Sequence, residues 1–201
     1  DVSSFGNLGA KVNVKTSSIK ERLSGNAQAK YGSYDYQDYG AKVGYGSKYI
    51  DIEAGAGYAS QKPYKDGNVD NIIDVASPKY KSGSDEEDLY KTYVYYLKGV
   101  FKPVDNVALS IDGAVHKTDQ ALYPGKPMDG VKDDTLRVKG ALSIFDIGSF
   151  SDKLELSGYQ NNVDHDMDNY TFRIVAPASA SKTVTESNVK GYGITNQKAY
   201  K

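Results

Sequence analysis

The sequence predicts an all-β protein: an antiparallel up-and-down meander of about eight strands, a transmembrane β-barrel segment. Three observations lead there. Apolar and polar residues alternate with period two along segment after segment, with almost no helical periodicity. The connections sort by length, short ones at one end of the strands and long ones at the other. The aromatics, 18 Tyr against 5 Phe and no Trp, gather in two bands near those two ends.

The first strand, residues 22–34, sets Leu23, Gly25, Ala27, Ala29 and Tyr31 on one face and Ser24, Asn26, Gln28 and Lys30 on the other. The second places Tyr39, Ala41, Val43 and Tyr45 opposite Gly40, Lys42, Gly44 and Gly46, and Ser47-Lys48 turns the chain. In the third, Ile50, Ile52, Ala54, Ala56 and Tyr58 alternate with Asp51, Glu53, Gly55 and Gly57. Residues 60–88 break into Gly, Pro, Ser, Asn and charge, the composition of a loop.

The fourth strand, residues 89–102, carries Tyr93, Tyr95, Leu97, Gly99 and Phe101 on one face. Pro103-Val104-Asp105-Asn106 has the Pro-early, Asp/Asn-late order of a turn. The fifth strand covers 107–117, a second loop 118–133, the sixth strand 135–145, a short turn 146–152 and the seventh strand 153–162. A long polar stretch, 163–186, precedes an eighth strand at 187–197.

Short turns thus follow strands two, four and six, and long loops follow strands three, five and seven. Connections in a meander alternate between its ends, so each kind collects at one end. Short periplasmic turns and long extracellular loops have this distribution in outer-membrane barrels. Tyr31, Tyr34, Tyr36, Tyr39, Tyr58, Tyr90, Tyr93 and Tyr95 mark the long-loop end. Tyr45, Tyr49, Phe101, Phe145 and Phe150 mark the short-turn end. Two such bands form an interfacial girdle.

Composition excludes several classes. Net charge is −1 with an isoelectric point near 6.2, so no basic excess points to nucleic acid. The lack of Cys rules out a disulfide framework, a zinc finger and a thiol nucleophile. No apolar run approaches the roughly 18 residues of a membrane helix. A mean hydropathy of −0.58 is compatible with a membrane barrel, whose strands turn only alternate residues to lipid. No GxGxxG, P-loop, HExxH or GxSxG pattern occurs, and with 2 His the chain offers little to catalysis, so a non-enzyme is expected. No charged start with an apolar run opens the sequence, and Ala199-Tyr200-Lys201 follows no closing strand. The expectation is a piece of a longer chain.

The opening, Phe5-Gly6-Asn7-Leu8-Gly9-Ala10-Lys11-Val12-Asn13-Val14-Lys15-Thr16, resembles the last plug strand of TonB-dependent outer-membrane receptors, often of the form G-x-x-G-G-x-I-N-I-x-T. Ala10 stands where a second Gly is common, and Lys11 is atypical. Tyr31-Gly32-Ser33-Tyr34 is similar to the family's first barrel strands, and Lys102-Pro103-Val104-Asp105-Asn106 to its periplasmic turns. The resemblance implies that residues 1–20 are the C-terminal end of a plug with its linker. It makes residues 21–201 the first strands, with extracellular loops, of a larger barrel of about 22 strands. It further implies a Gram-negative outer-membrane location in contact with lipid. The energy-transducing TonB complex would act through an N-terminal region outside this sequence, to import a metal ion or metal chelate.

Val163-Asp164-His165-Asp166-Met167-Asp168-Asn169 is similar to the V-D-H-x-M-D-N segment of the TonB-dependent copper receptors, in which His and Met contribute to a copper site. The resemblance carries over to His165 and Met167, with copper as transported substrate and no resident cofactor. The family's further ligands, a plug Cys and Met, would lie before Asp1. Imidazole and thioether form a soft pair suited to Cu(I) and tolerated by Cu(II). Spacing of two in an extended chain puts both on one face, and Asp164, Asp166 and Asp168 on the other, where they could bind a harder cation.

His116 is expected to face Asp112 on a polar barrel wall, and Asp85-Glu86-Glu87-Asp88 to be a solvated acidic loop or a Ca²⁺ site. The alternatives at this point are a receptor for a siderophore or other ligand, a small eight-stranded barrel of adhesive or structural role, and a soluble β-rich binding module.

Overall fold

Eight strands form one sheet in the computed structural model, which describes residues 22–68, 70–84 and 86–199. They are β1 (Arg22–Gly32), β2 (Tyr36–Gly46), β3 (Ile50–Gln61), β4 (Tyr90–Val104), β5 (Val107–Ala121), β6 (Asp129–Ile147), β7 (Ser151–Asp168) and β8 (Lys182–Gln197). Each pairs antiparallel with the next in chain order. Among the described residues β1 and β8 do not pair with each other, so the sheet is open at both edges. The plug-like segment expected at residues 1–20 and Asp85 of the acidic run lie outside the described residues. No helix among the described residues is long and apolar enough to cross a membrane.

Register follows from the alternation, since a slip by one residue would turn every apolar side chain over. One apolar row crosses six strands: Ile50, Phe101, Leu109, Leu142, Leu156 and Ile194 stand in successive cross-strand pairs. The exposed large hydrophobics concentrate on this face, with Leu97 at 49%, Leu109 at 53% and Ile111 at 58%. No second sheet covers them among the described residues. A second row on the opposite face alternates in charge: Glu53, Lys98, Asp112 and Lys139 are successive partners. There Lys42 pairs with Glu53 at 3.3 Å, and Lys153 with Glu155 at 2.6 Å.

Aromatics mark the upper edge of the apolar face. Tyr39, Tyr58 and Tyr93 stand in register, the first two stacked at 6.3 Å and the last two tilted at 5.2 Å. By strand parity Tyr36, Tyr90 and Phe145 belong to the polar face, so the bands read from sequence mix both faces.

The connections sort as expected. Residues 47–49, 105–106 and 148–150 turn the chain at one end, and loops 62–89, 122–128 and 169–181 lie at the other. The short link on the long-loop side has positive φ at Tyr34 (60°) and Asp35 (50°), the requirement of a type I′ hairpin. Sequence boundaries fall short on one side: β5 to β8 run well past the predicted ends, and β6 has 19 residues. At about 3.3 Å per residue β6 spans roughly 60 Å, far beyond an apolar band about 25 Å tall. Its upper part is polar on both faces, so alternation fades while the hydrogen-bond ladder continues.

The packed core sits in the long loops. Ile73, Ala76, Tyr80 and Leu122 are buried together, with Ile72, Leu89 and Phe172 against them. An isolated bridge, Tyr80 to Arg173, joins the first and last long loops.

Candidate metal centre

His165 and Met167 lie two apart on β7, so the pleat turns them to the same, polar face. They belong to the strand and not to a loop base, because pairing continues past them. His165 stands opposite Asp133 and Thr185, Met167 opposite Gly130 and Thr183. His165 Nδ1 is 2.9 Å from Asp133 Oδ2. A carboxylate only accepts, so Nδ1 carries the proton and Nε2 is the nitrogen with a lone pair for a metal. The His165 and Asp133 side chains are partly exposed, at 29% and 41%, so the imidazole is reachable from solvent.

One cavity of about 410 Å³ brings the pair together with loop residues: Tyr123, Lys126, Pro127, Met128, His165 and Met167 line it. Sequence reasoning missed Met128. The available signal was that the chain has 2 Met, and both stand on this cavity. Its position is set from both sides. A turn closes behind it through Lys126 N donating to Tyr123 O at 2.8 Å, and the next residue, Asp129, is fully buried.

The three aspartates of the motif do not form a cation site, correcting that expectation. Asp164 is 3.6 Å from Lys132, and Asp166 is 3.0 Å from Lys182. Asp168 is buried and accepts from the backbone of Tyr170 and Thr171, at 3.1 and 2.7 Å, which fixes the loop start. Among the described residues no group of three or more His, Cys, Asp or Glu is placed to hold a metal. In the acidic run, Asp88 pairs with Lys91 at 3.1 Å, and the Glu86 carbonyl accepts from Lys62. His116 meets Thr92 Oγ1 at 2.6 Å, whereas Asp112 stands opposite Lys98 and Lys139.

An open, antiparallel, up-and-down sheet with a bare apolar face and a charged reverse is a segment of a transmembrane-type β-barrel. No protein-family model matches the chain, and no curated protein does. Among solved structures, one titled copper transporter OprC matches with a TM-score of 0.70 at 18% sequence identity, over 90% of this chain and 28% of that chain. The likeness is one of fold, and the chain spans little more than a quarter of that protein's length.

Proposed function

We propose that the chain is part of the barrel of a TonB-dependent outer-membrane transporter and serves energised uptake of a metal ion or metal chelate, with copper the cargo. One observation carries the reading: His165 and Met167 stand together on a cavity at the long-loop end of a barrel strand. Cargo arriving from outside meets the barrel at that end, with a soft nitrogen–sulfur pair ready to take it. Residues 1–20 then supply the end of the plug, and the TonB complex acts on a region preceding it. The open edges at β1 and β8 are the seams at which further strands complete the barrel, since bare edges are not tolerated in lipid.

A self-contained eight-stranded barrel would pair β1 with β8, and that pairing is not made among the described residues. A siderophore receptor would share the barrel but would give His165 and Met167 no role. The test is accumulation of radiolabelled copper by cells producing the full-length protein, with and without a proton-motive force. Uptake should depend on that force and fall strongly in His165→Ala and Met167→Ala. Unchanged uptake in both variants rejects the site at His165 and Met167, and accumulation no greater than in cells lacking the protein rejects copper as cargo.

A further inference from the structure

We infer that an outward groove at the short-turn end, bounded below by Lys48 and Asp105, binds one phospholipid with a phosphoethanolamine headgroup. The inference goes beyond the transport reading and holds for any cargo, since it rests on the lipid-facing wall and two of its turns.

The groove begins with the register. Ile52, Gly99, Ile111 and Gly140 are successive cross-strand partners on the apolar face, so large side chains stand beside bare backbone. One row nearer the turns, Ile50, Phe101 and Leu109 follow one another as a ridge. A cavity of about 380 Å³ opens between these rows, where the two glycines carry no side chain. The charged residue bordering it, Asp51, has its carboxylate on Lys102 Nζ at 2.5 Å, on the opposite face of the sheet. What remains is an aliphatic and aromatic lining on a wall that meets lipid, the surroundings an acyl chain takes.

The charges below the groove select the headgroup. Lys48 Nζ lies 3.2 Å from Asp105 Oδ1, and the pair joins turn 47–49, which leads into Ile50, to turn 105–106, which leads into Val107. Lys102 N donates to Tyr49 O at 2.8 Å, which fixes the first turn to the foot of β4. Side chains 65% and 85% exposed gain little from such a pair in water, so its partners exchange readily. A zwitterion at the membrane surface supplies the exchange: Lys48 donates to its phosphate, and Asp105 accepts from its ammonium. The Lys48 ammonium also stands 5.5 Å from the centre of the Tyr49 ring, an aromatic suited to the interfacial level. A choline headgroup has no N–H to donate to Asp105, and a phosphoglycerol one brings a net negative charge that the carboxylate repels. Phosphoethanolamine satisfies both turns.

The experiment is lipid titration of the delipidated full-length protein in detergent, read by native mass spectrometry. The probes are phosphatidylethanolamine, phosphatidylcholine and phosphatidylglycerol with identical acyl chains. One phosphatidylethanolamine should bind about tenfold tighter than either other lipid. In the double variant Lys48→Ala with Asp105→Ala that preference should vanish. In Gly140→Leu all three lipids should bind about tenfold more weakly. A Cβ at Gly140 meets nothing nearer than the Ser110 carbonyl at 3.7 Å, so leucine fills the groove without displacing the strand. The turn variant leaves the strands untouched and decides the matter even if Gly140→Leu fails to fold. Equal binding of the three lipids by the wild type overturns the inference, as does a preference that survives loss of both turn charges. Unchanged lipid affinity in a folded Gly140→Leu also overturns it, and if that variant turns a dimer into a monomer, the groove belongs to a second copy.

Discussion

The Arg173 guanidinium clasps the Asp129 carboxylate with two bonds, Nε to Oδ2 at 2.6 Å and Nη2 to Oδ1 at 2.8 Å. Their side chains are 0% and 1% exposed. The remaining capacity is used as well. Tyr80 and the backbone N–H of Tyr123 both donate to Asp129 Oδ1 at 2.7 Å, and Arg173 Nη2 donates to Tyr80 Oη and the Tyr123 carbonyl at 2.8 and 2.9 Å. A buried ion pair withstands desolvation only when its spare donors and acceptors are met, as they are here. One residue from each long loop, Tyr80, Tyr123 and Arg173, converges on the first residue of β6. The clasp makes the three loops a single cap.

Removing one partner should therefore loosen the cap as a unit. Arg173→Met leaves the Asp129 carboxylate buried and unpaired, a loss of about 3–5 kcal/mol. The strand ladder below does not depend on it, so the loss should be local. Hydrogen exchange should accelerate across loops 62–89 and 169–181 while amides at the centre of β4 and β5 keep their protection. The double variant Asp129→Leu with Arg173→Met should lose less than Arg173→Met alone, because no stranded charge remains.

The cap should also carry an alkaline limit. Burial, then the hydrogen bond and charge of Asp129, push the Tyr80 phenol well above its ordinary 10.0. Burial works to lower Arg173, but bonds to Asp129 and its charge hold that guanidinium above its usual value. A phenol raised in the fold contributes stability that is complete below the unfolded value and is lost as pH climbs through the folded one. Proteolysis near Lys79 and Lys81 should thus stay slow to about pH 10 and quicken beyond it. Tyr80→Phe should be less protected at neutral pH and show a flatter rise.

Much of the sheet is legible in the sequence because a half-buried strand alternates, and the apolar face alternates as regularly against lipid as it would against a core. Loop sorting gives the ends in the same way. The upper reaches of β6 and β7 escape notice because both faces there are polar, yet their backbones still pair, Asp134 with Asp164 and Lys132 with Asp166. His165 and Met167 are found through their spacing and resemblance, whereas Met128 has no local pattern around it. The clasp is likewise invisible, since Tyr80, Asp129 and Arg173 stand 49, 44 and 93 positions apart in their pairings. Some glycines are explained only by the register. Gly55 faces Tyr96 across the ladder, and a Cβ there would lie 2.4 Å from the ring that reaches over it to Glu53.

The bond between Asp133 and His165 should set which nitrogen of the ring binds cargo. With Nδ1 protonated and bonded, Nε2 is presented; without the carboxylate, the ring turns and both tautomers populate. Asp133→Ala should lower copper affinity about tenfold, the usual cost of losing an outer partner of a metal-binding histidine. Nitrogen NMR of the imidazoles reads the tautomer directly, and His116 serves as the internal reference in a chain with 2 His. A tautomer unchanged by the substitution would refute the positioning role.

The apolar face makes a prediction that depends on depth. Leu97 stands in register with Ala54 and Gly113, midway between the Tyr93 level and the Phe101 level, and is 49% exposed. If that face meets lipid, Leu97→Arg puts a charge near the bilayer midplane and should destabilise the folded barrel by about 2–4 kcal/mol. Val107→Arg, on the same face but beside the 105–106 turn, lies at an interface and should cost no more than about 1 kcal/mol. If the face were instead covered by protein, the costs would follow packing and not depth, and Val107, beside Ile144 and Val104, would be the more sensitive position. Denaturant unfolding of the full-length protein in lipid vesicles separates the two. Equal losses at both positions would remove the case for a lipid-facing wall.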